Sequence, residues 1–340
     1  MAYQPSLLSN LNTNILNDIR LVNGLFAYFG MTMFALYAAK LVAMLLDFTG
    51  ASAIKIERFG ARKGYWAVVT GCTDGIGKEL TKQLAKKKFN LVLISRSQQK
   101  LEDFAKEIEA EYGVETKIYV VDFTKITQKN YDEIKQVLDS IPVGVLANNV
   151  GLSHDHSTPF LEEDMERVRN MIHININGLV EMTRIVLPQM KERKNGLILN
   201  SGSYAGLIPT PFLSVYSGTK AFVKNFSQAL AAEVEKDGIV VQHLTTYFVA
   251  TAMTKVRRAT FLIPTAESYA KNIIRYLGSP CGTNSPYTMV PHFGHAIYVF
   301  FTQNILSESF VVKKSYDHGL VFYKRWLKKV ARENEKAKAN

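Results

Sequence analysis

Short apolar runs bounded by glycine or polar residues recur through the middle of the chain, with the length of buried strands. Trp66-Ala67-Val68-Val69-Thr70 lies between Gly64 and Gly71, and Asn90-Leu91-Val92-Leu93-Ile94 ends at Ser95-Arg96-Ser97. Gly196-Leu197-Ile198-Leu199-Asn200 runs into Ser201-Gly202-Ser203. Leu101, Phe104, Ala105 and Ile108 recur at helical spacing and predict a sheet-facing stripe.

The ends of the chain have a different pattern. Leu21 to Ala39 is a run of 19 uncharged residues, and Leu41 to Leu46 extends it past Lys40. Nineteen helical residues reach about 28 Å, close to the roughly 30 Å of a bilayer's hydrocarbon core, so 21–46 is predicted to be a transmembrane anchor. It starts too late and lacks the basic leader of a cleavable signal peptide. The first 20 residues hold one basic residue, Arg20, whereas 40–63 hold five: Lys40, Lys55, Arg58, Arg62 and Lys63. That asymmetry directs the rest of the chain to the cytosol. Residues 287–306 are also apolar but are interrupted by His292, His295 and Gln303, which predicts a membrane-dipping or substrate-tunnel helix rather than a second span.

The net charge of +11 is concentrated at the C-terminus, where residues 313–340 hold nine basic and three acidic side chains. Phe322, Tyr323 and Trp326 alternate there with Lys324, Arg325, Lys328 and Lys329, a pattern suited to anionic lipid headgroups or to a solvated tail. Nucleic acid is excluded, because the charge lies outside the folded segment and no nucleic-acid motif accompanies it. The last residues contain Lys336 and Lys338 in a K-x-K-x-x arrangement, like the signals that return membrane proteins to the endoplasmic reticulum. Cys72 and Cys281 form no disulfide framework and fit a reducing compartment.

Thr70-Gly71-Cys72-Thr73-Asp74-Gly75-Ile76-Gly77 joins the first strand to a helix. A strand, a glycine turn and a helix N-terminus make an anion site, where backbone N–H groups and the helix dipole meet a pyrophosphate. The spacing is G-x-x-x-G-x-G. After the second strand, where a carboxylate would select NAD, the chain has Arg96, which suits the 2′-phosphate of NADPH.

Tyr216 and Lys220 are four residues apart and share one helix face. A phenol titrates near pH 10, and a neighbouring ammonium lowers that value toward the range general acid catalysis needs. Ser203 stands thirteen residues earlier at the end of a strand, where open α/β sheets bind ligands.

These motifs occur in a fixed order with Asp122, Asn148-Asn149-Val150-Gly151 and Asn175, and over about residues 64 to 255 the chain resembles the short-chain dehydrogenase/reductase family. The resemblance implies an α/β fold, a Rossmann-like doubly wound parallel sheet at about 60–280. It would sit between the 1–20 tail with its 21–46 anchor and a basic helical extension at 281–340. Tyr216 would donate a proton to a carbonyl oxygen that Ser203 orients. Lys220 would hold the nicotinamide ribose and lower the tyrosine pKa, and Asn175 would keep a water in a proton relay. Thr70, Gly71, Asp74, Gly75, Ile76, Gly77, Arg96, Asp122, Asn149, Val249 and Thr251 would line the NADPH site, Asp122 on the adenine and Thr251 on the carboxamide. Asn148 would support the cofactor loop. Two positions depart from the family pattern: Val150 replaces an alanine, and Thr246-Tyr247 replaces Pro-Gly.

Ile185 to Met190 and Tyr247 to Arg258 further resemble the family's membrane-bound reductases of 3-oxoacyl-CoA. This implies reduction to 3-hydroxyacyl-CoA in the second step of fatty-acid elongation. The elongase condensing enzyme, dehydratase and enoyl reductase would be the partners, and oligomerisation is left open. Lys255, Arg257 and Arg258 are expected on the CoA phosphates; no metal is expected. A 3-ketosphinganine or 17-ketosteroid substrate stays open, as does a non-catalytic NADPH-binding scaffold.

Overall fold

Seven parallel strands form one sheet in the order β3-β2-β1-β4-β5-β6-β7. The structure is a computed structural model describing residues 7–256 and 258–339, with side-chain surroundings for 17–256 and 258–337. The strands are β1 (Trp66–Thr70), β2 (Asn90–Ser95), β3 (Thr116–Val120), β4 (Val143–Asn148), β5 (Gly196–Ser201), β6 (Ile239–Leu244) and β7 (Thr288–Met289). Chain order reverses between β1 and β4, so a crevice opens beyond the C-terminal ends of those strands.

Side-chain alternation along the strands builds two cores. Ala67, Val69, Leu91 and Leu93 face one side and pack under α2 (Gly75–Lys86), α3 (Gln98–Tyr112) and α8 (Ala266–Arg275), through Leu80, Leu84, Leu101, Ile108, Tyr269 and Ile273. Val68, Val92, Ile94, Leu146 and Ile198 face the other side. They meet α4 (Gln128–Asp139), α6 (Leu179–Glu192) and α7 (Ser214–Val234) through Ile134, Leu138, Met182, Val186, Leu230 and Val234. Burying each such side chain contributes about 1.5–3 kcal/mol. The central strands β1 and β4 are buried along their whole length, whereas the edge strand β3 is largely exposed.

The N-terminal helix α1 runs from Leu7 to Asp47, and within it Asn17–Asp47 is long and apolar enough to cross a membrane. A third cluster joins its end to the domain: Met44 packs with Tyr204, Ile208, Val290, Ala296, Val299, Phe300 and Val311. Ala296, Val299 and Phe300 lie on α9 (Phe293–Asn304) and Val311 on the terminal helix α10 (Glu308–Ala339). The apolar segment 287–306 is therefore a short strand and a helix seated on the domain, because one side of α9 is taken up by this cluster.

Candidate active site

Thr70, Gly71, Asn149, Ser203, Tyr216 and Lys220 are placed at or beside the C-terminal ends of the central strands. The glycine turn after β1 is braced from β4. The Thr70 hydroxyl accepts the N–H groups of Asn149 (3.0 Å) and Val150 (3.1 Å), and Asn149 Nδ2 donates to the carbonyls of Thr70 and Gly71, both at 3.1 Å. Gly71 has φ +67°, a left-handed conformation that favours glycine, and a Cβ there would lie 3.0 Å from Val150 Cα. Asp74 caps α2 by accepting the Gly75 N–H at 2.7 Å. A helix start leaves four N–H groups without intrahelical partners, so the first turn holding Ile76 and Gly77 still offers donors. Across the crevice, the Thr251 methyl lies 3.3 Å from where a Gly75 Cβ would stand, with buried Val249 two residues before it.

Asn148 departs from the expectation. It is the last residue of β4 and shares the parity of Leu146, so its amide turns into the core, donating to Thr183 Oγ1 (3.0 Å) and Asn200 Oδ1 (2.9 Å). Asn149, on the opposite parity, is the residue that braces the turn. Arg96 is exposed at the end of β2. The Asp122 carboxylate accepts the N–H and hydroxyl of Thr124 at 2.9 and 2.8 Å. Partial burial acts to raise its pKa, but those bonds and the nearby cations Arg96 and Lys125 bring it below the usual value.

The second half of the site rests on α7. Ser203 begins a short turn and its hydroxyl accepts the Ala205 N–H at 3.2 Å. Gly206 lets α7 approach: a Cβ there would lie 2.5 Å from the Lys220 carbonyl. Ser217 Oγ donates to Ala205 O at 2.5 Å, fixing the helix face that carries Tyr216 and Lys220. Lys220 Nζ donates to the Ser201 carbonyl at 2.8 Å and stands 5.8 Å from the centre of the Tyr216 ring. Burial pushes Lys220 down to about 8. It also pushes the Tyr216 phenol above its usual value, against the hydrogen bond of Ser203, which lowers it. The lowered phenol expected from the sequence is therefore not what the protein alone produces: desolvation outweighs the helpers, and the ammonium's bond goes to Ser201.

Asn175 lies in a π-helical turn, His173–Gly178. Its Oδ1 accepts the Leu152 N–H at 2.8 Å, and its Nδ2 donates to Leu152 O at 2.9 Å and Thr219 Oγ1 at 3.0 Å. The side chain thus ties the loop after β4 to α7. A Gly151 Cβ would stand 3.4 Å from Asn175 Oδ1 and 3.7 Å from Lys220 Nζ, so the loop passes close to both.

Several neighbours carried no sequence signal. On α5 (Met165–Ile172), Arg167 donates to Ser153 O in the loop after β4 at 2.6 Å and pairs with Asp155 at 2.8 Å. His154 Nε2 and Glu163 Oε1 stand 2.8 Å apart and buried. Burial pushes His154 down to about 4 and Glu163 up to about 7. Helix α10 closes over this loop: Trp326 stacks on His156 at 3.8 Å, and the Tyr323 hydroxyl donates to Glu162 at 2.6 Å. Phe212, just before α7, packs against Tyr316 and Tyr323. Two of the three tail aromatics expected on lipid headgroups or in solvent, Tyr323 and Trp326, therefore pack on the domain, and Phe322 is exposed. Lys255 is exposed and donates to Asp155 O at 3.0 Å; Arg258 is exposed, and Arg257 lies outside the described residues.

A buried ammonium, two left-handed glycines and the N–H groups of a helix start fit a dinucleotide's ribose and phosphates. The model of the short chain dehydrogenase family matches residues 65–261, and the chain belongs to that family of oxidoreductases. A protein of Laccaria bicolor named very-long-chain 3-oxoacyl-CoA reductase is 43% identical over 82% of this chain and 83% of its own. Relatives of the same name in Schizosaccharomyces pombe (42% identical, 83% and 85% covered) and Aspergillus oryzae (38%, 97% and 96%) extend the similarity across nearly the whole chain. Among solved structures, a 7beta-hydroxysteroid dehydrogenase superposes with TM-score 0.67 at 20% identity, covering 75% of this chain and 99% of that one. The L-sorbose reductase of Gluconobacter frateurii, solved with NADPH and L-sorbose, gives 0.57 at 25% identity, covering 68% and 97%.

Proposed function

We propose that this chain reduces very-long-chain 3-oxoacyl-CoA to 3-hydroxyacyl-CoA with NADPH, the second step of fatty-acid elongation, at the endoplasmic-reticulum membrane. The observation that carries the reading is the Ser203, Tyr216 and Lys220 set at the strand ends of a chain that is similar along 97% of its length to a relative named very-long-chain 3-oxoacyl-CoA reductase. Helix α1 is the membrane span, the catalytic domain is cytosolic, and the tail with Lys336 and Lys338 serves retrieval. The condensing enzyme, dehydratase and enoyl reductase of the cycle are the partners.

Ser203 and Tyr216 hydroxyls hold the ketone oxygen between them. A dinucleotide held at this site would supply the hydride for the carbonyl carbon. As charge develops on the oxygen, the Ser203 hydroxyl keeps its hydrogen bond to it and Tyr216 gives up its proton, leaving a phenolate. Protonated Lys220 holds the ribose hydroxyls and supplies positive charge beside that phenolate. Asn175 keeps the loop after β4 in register with α7. Thr70, Asn149 and the three glycines shape the pyrophosphate turn, with Asp74 fixing the start of α2. Asp122 borders the adenine, and Val249 and Thr251 border the carboxamide. Lys255, Arg257 and Arg258 take the CoA phosphates.

Product analysis with NADPH and a panel of 3-oxoacyl-CoA chains tests the reading. The expected product is 3-hydroxyacyl-CoA, with KM raised several-fold for CoA esters, but not for short ketone probes, by Lys255→Ala combined with Arg258→Ala. Turnover of only 3-ketosphinganine or 17-ketosteroids would replace the substrate assignment. No turnover of any ketone would leave a scaffold.

Arg96, exposed at the end of β2 near Asp122, is the residue assigned to the 2′-phosphate of NADPH. Arg96→Ala is expected to weaken NADPH binding about tenfold, in line with loss of a charge-assisted bond of about 1.5 kcal/mol, while NADH binding stays level. Fluorescence titration with both cofactors measures this, and equal losses for both would remove Arg96 from 2′-phosphate recognition.

A further inference from the structure

Helix α1 remains attached to the domain through its last two turns. Met44 is buried in the third cluster, Asp47 accepts the Cys281 N–H at 3.0 Å, and Lys40 Nζ donates to Asn304 Oδ1 at 2.9 Å. The outer side of the same two turns carries Leu41, Val42, Leu45 and Leu46, which are 42–61% exposed. From Lys40 to Leu46 the helix advances about 9 Å. A bilayer boundary at Lys40 would leave those four side chains in water. A boundary at Leu46 brings the Lys40–Asn304 contact, and whatever surrounds Asn304, into the headgroup and upper acyl zone, where Lys40 reaches outward along its apolar stem.

The surroundings of Asn304 decide between the two. Phe301 and Ile305 lie one turn apart at the end of α9, followed by Leu306 and, at the start of α10, Phe310; all four are 40–53% exposed. The inner side of α9, with Ala296, Val299 and Phe300, already fills the third cluster, so packing does not account for the outer four. Single exposed apolar residues are ordinary, but a group continuous with the apolar side of a membrane-length helix marks an interaction surface.

We propose that the α9–α10 turn is a second membrane contact, with Phe301, Ile305, Leu306 and Phe310 inserted at the headgroup–acyl boundary of the leaflet facing the domain. It rests on the reading of α1 as a membrane span. The contact fixes how the domain sits on the bilayer, since one helix allows rotation and two points of attachment do not. It also sets the third cluster beside the lipid: Val299 and Phe300 share that cluster with Tyr204, which is next to Ser203 and whose ring packs on Tyr298 of α9. An acyl chain drawn from the bilayer therefore meets apolar side chains on the way to the strand ends.

The test uses full-length protein in phosphatidylcholine–phosphatidylserine vesicles, with a single cysteine labelled by an environment-sensitive fluorophore. Cys72 and Cys281 are buried, so the label goes to the introduced thiol. Phe34→Cys reports on the α1 span, Ile305→Cys and Phe310→Cys on the proposed contact, and Lys129→Cys on the exposed side of α4. Blue-shifted emission quenched several-fold by lipids brominated on their acyl chains is expected at 34, 305 and 310, with none at 129. Quenching at 34 but not at 305 and 310 overturns the second contact and leaves the span. A blue shift at 305 and 310 without quenching also overturns it, because protein, a second copy or a partner, then covers the turn. Absence of quenching at 34 overturns both readings.

Discussion

Replacing Tyr216 by phenylalanine will abolish ketone reduction while leaving the fold and dinucleotide binding intact. The substitution removes one oxygen. The ring, the α7 backbone, the Ser217–Ala205 bond and the Lys220–Ser201 bond all remain. Burial already disfavours the ionised phenol, and Ser203 is its side-chain helper, so losing the hydroxyl costs little stability: a weakly compensated polar group leaves a desolvated place. The loss falls on chemistry, because phenylalanine has no proton to give. A positioned general acid contributes about 10²- to 10⁴-fold, and kcat should fall by that factor with NADPH affinity within about twofold. Turnover above a tenth of wild type would move the proton donor elsewhere. The pH dependence of the unmodified protein gives a second check through Lys220. Its folded-state pKa is about 8, below the ordinary lysine value, so the cation that stabilises the phenolate is present below pH 8 and is lost as pH rises through it. Stability moves the other way. The unfolded chain binds the proton more tightly, so between about 8 and the ordinary lysine value Lys220 makes folding more favourable as pH rises. Turnover should therefore decline above pH 8 in a range where this group is making the protein harder to unfold. A decline caused by unfolding would show both falling together.

What was legible in the sequence was local. The strand, glycine turn and helix around Thr70 to Gly77 are contiguous, and the pairing of Tyr216 with Lys220 needs only the periodicity of one helix. The short apolar runs placed β1, β2 and β5 because a fully buried strand has no polar face to break the run. The extension beyond residue 280 was not legible in the same way. Nothing near Trp326 signals that it stacks on His156, some 170 positions earlier, and nothing in 293–304 signals which side of α9 meets Tyr204. Such pairings are decided by the closed shape of the domain. The π-helical turn at Asn175 is invisible for another reason: it is a matter of backbone bonding five residues apart over His173–Gly178, not of composition. Asn148 and Asn149 were separable in principle, since strand alternation alone sends one to the core and the other to the crevice. The direction of the Tyr216 shift required knowing how much water the hydroxyl loses, and no residue spacing carries that.

Substituting Gly77 by alanine will weaken NADPH binding at least tenfold and destabilise the domain by about 1–3 kcal/mol, the range for overpacking a tight contact. The reason is approach rather than dihedral freedom, since Gly77 is not among the left-handed glycines. A Cβ at this position would stand 2.2 Å from the Gly71 carbonyl oxygen and 2.3 Å from Asn149 Nδ2. The first neighbour is backbone and cannot swing aside. The second donates to the Thr70 and Gly71 carbonyls, so displacing it removes the bonds that brace the turn. Relief through either route shifts the start of α2 from β1, and with it the N–H groups that face the pyrophosphate. Gly218→Ala is the matched control. Gly218 lies on α7 between Tyr216 and Lys220, and its Cβ would meet nothing within 4 Å, so alanine there should stabilise the helix by about 0.5–1 kcal/mol. Thermal unfolding and fluorescence titration of the two variants separate a steric effect from a general intolerance of glycine loss. If Gly77→Ala bound NADPH as the unmodified protein does, the turn after β1 would not be the phosphate cradle.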